Sequence, residues 1–203
     1  MSVSTVDLAP VEVSAVEALF TQAHTAHAFT DEPVSDEQIH QIYDMMKMAP
    51  TSMNTQPLRI TWVRSGDEKQ KLGAAMNDGN RAKTLGAPLN AILSVDTNWH
   101  EHFGTFAPWA EDRKGFFAAN ETIRVAMGTN NAHIQAGYFI TAVRAVGLAA
   151  GPMGGFDAAA VDAAFNQDNG HHALIVVNIG HPAQEAYRPR GARLAFEVAN
   201  RIL

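Results

Sequence analysis

The sequence contains no cysteine. This absence excludes disulfide bonds, thiolate nucleophiles and cysteine-ligated metal sites. It also fits a reducing compartment, so we expect a cytoplasmic protein. Basic residues are scarce as well, because 15 lysines and arginines stand against 21 acidic residues, for a formal net charge of -6. Nucleic acid is therefore not an expected partner.

Long apolar runs are also missing. No segment reaches the ~18 to 20 uninterrupted apolar residues that a bilayer span requires. Residues 1–10 include Asp7 and lack the basic stretch and apolar run of a signal peptide. We therefore expect a soluble protein with no membrane partner. A hydrophobic content of 46% in 203 residues is typical of one globular domain, here residues 1–203.

Three segments predict buried strands, since aliphatic and β-branched residues cluster there between turn signals: residues 58–63, 89–95 and 173–179. Helical spacing separates them. Ser35 and Gln38 form a capping box for one helix, a second is predicted over 131–146, ended by Gly147, and a third over 158–165 is capped by Asp157. The pattern predicts an α/β or α+β protein with one mixed sheet. The aromatic-rich segment 98–117 is either a lid over a pocket or an ordinarily packed loop.

Two prolines, Pro50 and Pro57, bracket a polar loop between a helix and a strand. Pro50 ends the helix, and Pro57 favours an extended conformation at the preceding residue. The hydrogen-bonding side chains between them are those of Thr51, Ser52, Asn54, Thr55 and Gln56. Such a rigid loop suits a flat heterocycle with many edge atoms. The alternative is a turn whose side chains satisfy their own backbone.

A glycine-rich segment follows the second helix. Its sequence is Gly151-Pro152-Met153-Gly154-Gly155. Glycines leave the backbone bare, so a planar ligand could stack on it and meet its N–H groups. A tight turn without a ligand explains the segment equally well.

Several cationic and polar residues complete the set of candidates. They are His24, Thr25, His27, Asn80, Lys83, Arg188, Arg190 and Arg193. Scattered cations are usually solvated, and only convergence in the fold would make them a phosphate site.

Taken in chain order over residues 19–196, these segments resemble the FMN-binding elements of the nitroreductase superfamily. The most specific pieces are Pro50-Thr51-Ser52-x-Asn54-x-Gln56-Pro57, Asn80-x-x-Lys83 and Gly151-Pro152-Met153-x-Gly155. Within that superfamily the sequence is most similar to the malonic-semialdehyde reductase (3-hydroxypropanoate dehydrogenase) subgroup. Residues 33–37, Met46-Lys47 and Gly147-Leu148 carry this finer resemblance.

The resemblance implies an α+β, nitroreductase-like fold, with a central mixed sheet flanked by helices and an intertwined homodimer that holds FMN in two clefts. It assigns the cofactor-binding residues by segment. His24, Thr25, His27 and Arg193 match positions on the FMN phosphate, and Asn80 and Lys83 match positions at the pyrimidine edge. Pro50, Thr51, Ser52, Asn54 and Gln56 match a loop that the second subunit contributes to the ring. Pro152, Met153, Gly154 and Gly155 match the backbone against the ring.

The chemistry implied is hydride transfer, which belongs to the flavin, while the protein supplies orientation and electrostatics. NADH or NADPH reduces FMN, and a small carbonyl compound such as malonic semialdehyde is then reduced in the same cleft, which predicts ping-pong kinetics. No catalytic side chain or metal is required. The alternatives are a generic nitro or quinone reductase of the same family and a non-catalytic flavin-binding module.

Two residues depart from the subgroup pattern. His24 stands where an arginine is usual, and Gly154 stands where a serine is usual. Histidine has a reference pKa of about 6.5 and loses its charge near neutral pH, unlike arginine. We therefore expect FMN affinity to weaken from about pH 6 to about pH 8.5 through His24 and His27. Gly154 removes a hydroxyl beside the ring, which would alter the choice of substrate.

Overall fold

The protein is described by a computed structural model that covers residues 9–64 and 66–203. Its centre is a four-stranded sheet in the order β1-β2-β4-β3. The strands are β1 Leu58–Val63, β2 Leu89–Asp96, β3 Ala149–Met153 and β4 His171–Gly180. Strands β1, β2 and β4 confirm the three predicted strands. The edge strand β3 is an addition to the prediction, which assigns Gly151 and Pro152 to a turn.

All three strand pairings are antiparallel. The α+β class with helices around one central sheet is confirmed, but within the described residues the sheet is antiparallel rather than mixed. Long helical connections suggest parallel neighbours, which need a crossover. A long connection can also return a strand in the opposite direction, as the connections β1–β2 and β3–β4 do here. Strands β2 and β3 run in the same direction, but β4 lies between them, so they are not paired.

Nine α-helices surround the sheet in the described part of the chain. They are α1 Val13–Val16, α2 Asp36–Met46, α3 Gly66–Ala75, α4 Asp78–Gly86, α5 Phe103–Phe106, α6 Lys114–Ala119, α7 Glu121–Ala145, α8 Ala158–Phe165 and α9 Phe196–Ala199. The capping box of α2 is confirmed, since Ser35 Oγ accepts from Gln38 N and Ser35 N donates to the Gln38 side chain. The Asp157 cap of α8 is confirmed as well. None of these helices combines the length and apolar composition that crossing a bilayer requires.

The two faces of the sheet bury different helices. Alternate residues of a strand point to opposite faces, so Leu93 packs in the core formed with α2 and α7, whereas Ile92 packs in the core formed with α3 and α8. Helices therefore cover both faces of the sheet. Helix α7 contacts β3, and α4 lines a cavity together with β3.

Helix α7 begins ten residues before the predicted start at 131, and it ends as predicted, with Gly147 at φ +79°. Gly128 lies within the unpredicted part. A Cβ at Gly128 would lie 2.8 Å from Trp99 Nε1, and the same Nε1 donates to Arg124 O at 3.0 Å. The glycine thus permits the indole to lie against the helix. Ile134 of the same helix is 45% exposed, whereas Phe139 and Val143 are fully buried.

Segment 98–117 forms a small core of its own. Trp99, Phe103 and Phe117 are buried together, whereas Trp109 and Phe116 are exposed. Ordinary packing therefore explains the centre of this segment. Its exposed aromatic residues, Trp109 and Phe116, are the ones that could form a lid over a pocket.

Candidate functional site

A cavity of about 220 Å³, here called the cation cavity, lies between the N-terminal segment, residues 21–27, and the C-terminal segment, residues 186–203. Its charged or titratable lining residues are His24, His27, Arg144, Arg188, Arg190 and Arg193. Within residues 9–64 and 66–203, no carboxylate lines it, and none of the four arginines forms an ion pair with Asp or Glu. A group of cations arranged in this way is suited to binding an anion.

Backbone hydrogen bonds hold the segments around this cavity in place. Arg190 donates from one Nη to Thr21 O at 2.9 Å and to Ala23 O at 2.8 Å. His27 N donates to Ala186 O at 2.8 Å, and Ala26 N donates to Ala150 O at 3.0 Å. The N-terminal segment is therefore fixed between the C-terminal segment and β3.

The His27 side chain lies within the influence of the positive charges of Arg188 and Lys83. Burial, followed by the positive charges of Arg188 and Lys83, lowers the pKa of His27 from its ordinary value. The imidazole is therefore mainly neutral at pH 7 in the free protein. A bound phosphate would act in the opposite direction, because an opposite charge nearby favours the protonated form.

A second cavity of about 180 Å³, the adjoining cavity, shares Thr25 and His27 with the first. It is lined by Asn80 and Lys83 of α4, by Gly151, Pro152 and Met153 of β3, and by Asn178 of β4. A Cβ at Gly151 would lie 2.5 Å from Ala26 O, so the N-terminal segment can run this close to β3 only past a glycine.

The glycine-rich segment is bound to α4 on the far side of the adjoining cavity. Asn80 Nδ2 donates to Gly155 O at 3.0 Å, and Asn77 N donates to the same oxygen at 3.1 Å. A Cβ at Gly155 would lie 2.6 Å from Asn80 Nδ2, whereas a Cβ at Gly154 would have no neighbour within 4 Å. Gly155 is thus required for close packing, and Gly154 faces open space.

A buried pair of asparagine side chains lies at the adjoining cavity, which Asn178 lines. Asn90 Nδ2 donates to Asn178 Oδ1 at 2.7 Å and to Thr84 O at 3.1 Å. Both asparagines are almost fully buried. The pair ties β2 and β4 to the helix that carries Lys83. No sequence pattern predicts it, since asparagines within apolar runs resemble interruptions.

The polar loop, residues 50–57, lines neither the cation cavity nor the adjoining cavity. Met53, Asn54 and Gln56 adopt positive φ angles of 55°, 57° and 42°. These left-handed conformations are costly for residues other than glycine, on the order of 1 to 3 kcal/mol each, and such strain is concentrated at functional sites.

Groups from three other elements, two side chains and one backbone carbonyl, stabilise this strained backbone. Ser52 N donates to Asn131 Oδ1 of α7 at 2.7 Å, and Asn54 Nδ2 donates to Phe106 O at 2.9 Å. Arg59 donates to Gln56 O at 2.8 Å and forms an ion pair with Asp96 at 2.7 Å. The loop therefore has one defined conformation in a single chain.

A cavity of about 360 Å³, the loop cavity, lies against the polar loop. Its lining residues include Asn54 and Gln56, together with Lys47, Arg59 and His102. It has no lining residue in common with the cation cavity or the adjoining cavity.

One chain thus brings together only part of the predicted set. His24, Thr25, His27, Asn80, Lys83, Pro152, Met153 and Arg193 line the first two cavities, and Gly155 is hydrogen-bonded to Asn80. Pro50, Thr51, Ser52, Asn54 and Gln56 line neither of them. Sequence reasoning missed Arg144, because one arginine in the last turn of a helix is normally explained by the helix dipole.

Comparisons with known proteins identify a family model and relatives that this chain resembles. The family model described as "Nitroreductase family" matches residues 21–181. A relative from Streptomyces coelicolor is 48% identical over 187 residues, which cover 92% of this chain and 95% of the relative. It bears the name "Putative NADH dehydrogenase/NAD(P)H nitroreductase".

Two solved structures have the same fold. A nitroreductase family protein from Streptococcus pneumoniae TIGR4 superposes with a TM-score of 0.81 at 18% identity, covering 91% of this chain and 98% of that one. A protein of Exiguobacterium sibiricum 255-15, crystallised in complex with FMN, superposes with a TM-score of 0.80 at 16% identity, covering 98% of this chain and 100% of that one.

Proposed function

The chain belongs to the Nitroreductase family, and from this premise we propose that it is a homodimeric, FMN-dependent oxidoreductase that reduces a small carbonyl compound such as malonic semialdehyde. The electron donor is NADH or NADPH. Family membership supports the flavin chemistry and the nicotinamide donor. The dimer, the residue roles and the acceptor are supported by the geometry of the site and by the resemblance to the malonic-semialdehyde reductases.

The observation that carries the proposal is the pairing of the cation cavity with the adjoining cavity. The first offers four arginines and, in the described part of the chain, no carboxylate, which fits a phosphate dianion. The second offers a wall of strand backbone with Lys83 and Asn80 on the opposite side, which fits a flat ring with polar edge atoms. The two share Thr25 and His27, so one ligand with a phosphate at one end and a ring at the other fits both.

Each residue then has a physical task. His24, Arg188 and Arg193 hold the phosphate by charge and hydrogen bonds. Asn80 and Lys83 face the polar edge of the ring, where the lysine ammonium stabilises negative charge. The backbone from Pro152 to Gly155 lies against the ring. When bound, FMN accepts hydride from the nicotinamide and passes it to the acceptor, so the protein needs to supply no nucleophile.

The dimer is proposed because the polar loop lies apart from these two cavities in one chain. A second copy would bring its own loop to the ring, as the resemblance implies. Exposed apolar side chains support such a contact, since a contiguous apolar surface marks an interface. They occur on α7, at Ile123, Ile134 and Tyr138, and along the C-terminal segment, at Leu194, Phe196, Val198, Ile202 and Leu203.

The carbonyl acceptor is supported by the loop cavity as well as by the resemblance. Lys47, Arg59 and His102 line it, and basic side chains suit an acceptor that carries a carboxylate. A nitro or quinone reductase is the second candidate, favoured by the name of the 48% identical relative.

The first test is the absorption spectrum of the purified protein, together with its molar mass in solution. We expect a flavin spectrum with one FMN per chain, bleaching by NADH or NADPH without oxygen, and the mass of a dimer. A colourless protein that takes up no added FMN would contradict the proposal. A monomer that holds FMN would contradict only the dimer.

The second test compares acceptors. We expect malonic semialdehyde to restore the bleached spectrum and to give parallel-line, ping-pong initial-rate patterns with the nicotinamide. If only nitroaromatic compounds and quinones restore it, the second candidate is the function.

A further inference from the structure

Arg144 occupies a position that none of the predicted roles explains. It stands in the last turn of α7 and lines the cation cavity together with Arg190 and Arg193. One Nη donates to Leu19 O at 3.2 Å. Its Nε is buried and has no hydrogen-bond partner in the described part of the chain.

Two of the other arginines of the cavity use donors on backbone carbonyl oxygens. Arg190 donates to Thr21 O and Ala23 O, and Arg193 donates to Gly191 O and Ala192 O. Both residues are exposed and belong to the C-terminal segment. Arg144 differs because it is half-buried and rooted in a 25-residue helix.

The electrostatic surroundings of Arg144 favour an anion. Burial, followed by the positive charge of Arg190, lowers the pKa of Arg144 from its ordinary value. A guanidinium stays protonated in proteins, so the site keeps a desolvated cation among other cations. A buried charge without a partner is unfavourable unless an opposite charge arrives.

We propose that Arg144 is a phosphate ligand of FMN, which supplies from helix α7 the permanent cation that the N-terminal segment lacks. The proposal rests on the proposed function and adds a residue to it. At the cation cavity the N-terminal segment offers His24 and His27 and no arginine. Arg144 carries its charge at every physiological pH, and its rigid helix limits the entropy lost on binding.

A purely structural role is the competing explanation, since Arg144 also tethers Leu19. Arg124 provides a matched control on the same helix. It donates to the backbone carbonyls of Thr97, Phe117 and Ala118, and it lines none of the three cavities described above. Loss of Arg124 therefore removes tethers without touching the cation cavity.

The test measures dissociation constants of the apoprotein for FMN and for riboflavin, by quenching of flavin fluorescence, in wild type, Arg144→Gln, Arg144→Lys and Arg124→Gln. Riboflavin lacks the phosphate. We expect Arg144→Gln to weaken FMN binding about 10- to 100-fold, as loss of a hydrogen bond to a charged group implies, and riboflavin binding less than about twofold. Arg144→Lys keeps the charge and loses the fork, so its loss for FMN is smaller. Arg124→Gln should leave the ratio of the two constants unchanged.

Each result has a defined meaning. Equal losses for FMN and riboflavin in the Arg144 variants, or no loss for either, would overturn the role of Arg144 while leaving the proposed function intact. A wild-type protein that binds neither flavin would overturn both. If Arg144→Gln does not fold, Arg144→Lys decides by the same criterion. Protection by inorganic phosphate against thermal unfolding, present in wild type, weakened in Arg144→Lys and lost in Arg144→Gln, would give independent support.

Discussion

The cation cavity and the polar loop are built on opposite principles. The cation cavity gathers charged side chains from both ends of the chain and from α7, none of them at a residue with positive φ, and its arginines have no carboxylate partners in the described residues. The polar loop has three residues with positive φ, and its stabilising groups come from β1, from the 98–117 segment and from α7. The first region is thus prepared for an external charge, whereas the conformation of the second is held by contacts within one chain. Loss of a charged side chain should therefore change mainly ligand binding in the first region, whereas loss of a tether should change mainly stability in the second.

The largest effect on stability is expected from Arg59→Ala, beside the polar loop. The variant leaves Asp96, with 4% of its side chain exposed, as a buried charge without its partner, and it releases Gln56 O. We expect a loss of about 3 to 5 kcal/mol in the free energy of unfolding, measured by urea denaturation.

Arg64→Ala is the control for that experiment, because the Arg64–Asp36 pair is exposed. It should cost less than about 1 kcal/mol. Similar losses in both variants would show that the buried pair has no special part in holding the loop.

Gly151→Ala should produce the next largest effect, and it acts on the cavity side. The new Cβ would meet Ala26 O at 2.5 Å, so the N-terminal segment must move away from β3. Overpacking of this kind costs about 1 to 3 kcal/mol, and FMN affinity should fall with it. Thermal unfolding and FMN titration of Gly151→Ala, beside Gly154→Ala as the unobstructed control, test the expectation. Unchanged FMN binding in Gly151→Ala would separate the N-terminal segment from the ligand site.

A smaller effect is expected from pH. Burial, followed by Arg188 and Lys83, lowers the pKa of His27 in the free protein. A phosphate dianion favours the protonated imidazole, so binding takes up protons and FMN affinity should fall as the pH rises from about 6 to about 8.5. Each histidine contributes at most about tenfold per pH unit. The arginines around it keep their charge throughout this range.

Titration of FMN and riboflavin across that range measures the effect, with His24→Arg as the comparison. Riboflavin should show little dependence on pH, and His24→Arg should flatten the FMN curve. Identical FMN curves for wild type and His24→Arg would exclude a contribution from His24.

The smallest effect on stability is expected from Gly154→Ser. An added Cβ meets nothing within 4 Å, so the change in the free energy of unfolding should stay within about 0.5 kcal/mol. The hydroxyl would nevertheless lie in the segment proposed to face the ring. We expect the ratio of kcat/KM for malonic semialdehyde to kcat/KM for a quinone to change, while the melting temperature does not. A constant ratio would remove Gly154 from the determinants of acceptor choice.

The sequence predicted those elements in which local pattern and tertiary context agree. Strands β1, β2 and β4 are apolar runs between turn signals, and the caps of α2 and α8 are local side-chain contacts. Strand β3 was missed because Gly151 and Pro152 favour a turn, although an edge strand bonded only to β4 can contain proline. The start of α7 was missed because Gly128 and Asn131 resemble helix breakers.

The candidate site was predictable in the identity of many residues and not in their assembly. Spacing cannot show that Arg193 lies near His24, since the two are joined only by the fold. Nor can it show that Asn131, a poor helix former, is retained in α7 because its side chain accepts from Ser52 N. The separation of the polar loop from the cation cavity is likewise a property of the tertiary structure alone.

The packing of Trp99 against Gly128 determines which positions of the 98–117 segment can be substituted. The aromatic core of the 98–117 segment fixes its inner half on α7, while His102 and Thr105 line the loop cavity and Trp109 and Phe116 point outward. Outer positions can therefore be exchanged without unfolding the domain, provided that the glycine stays. Substitutions at these outer positions, by selection or by design, are therefore a route to a different acceptor preference in an unchanged fold.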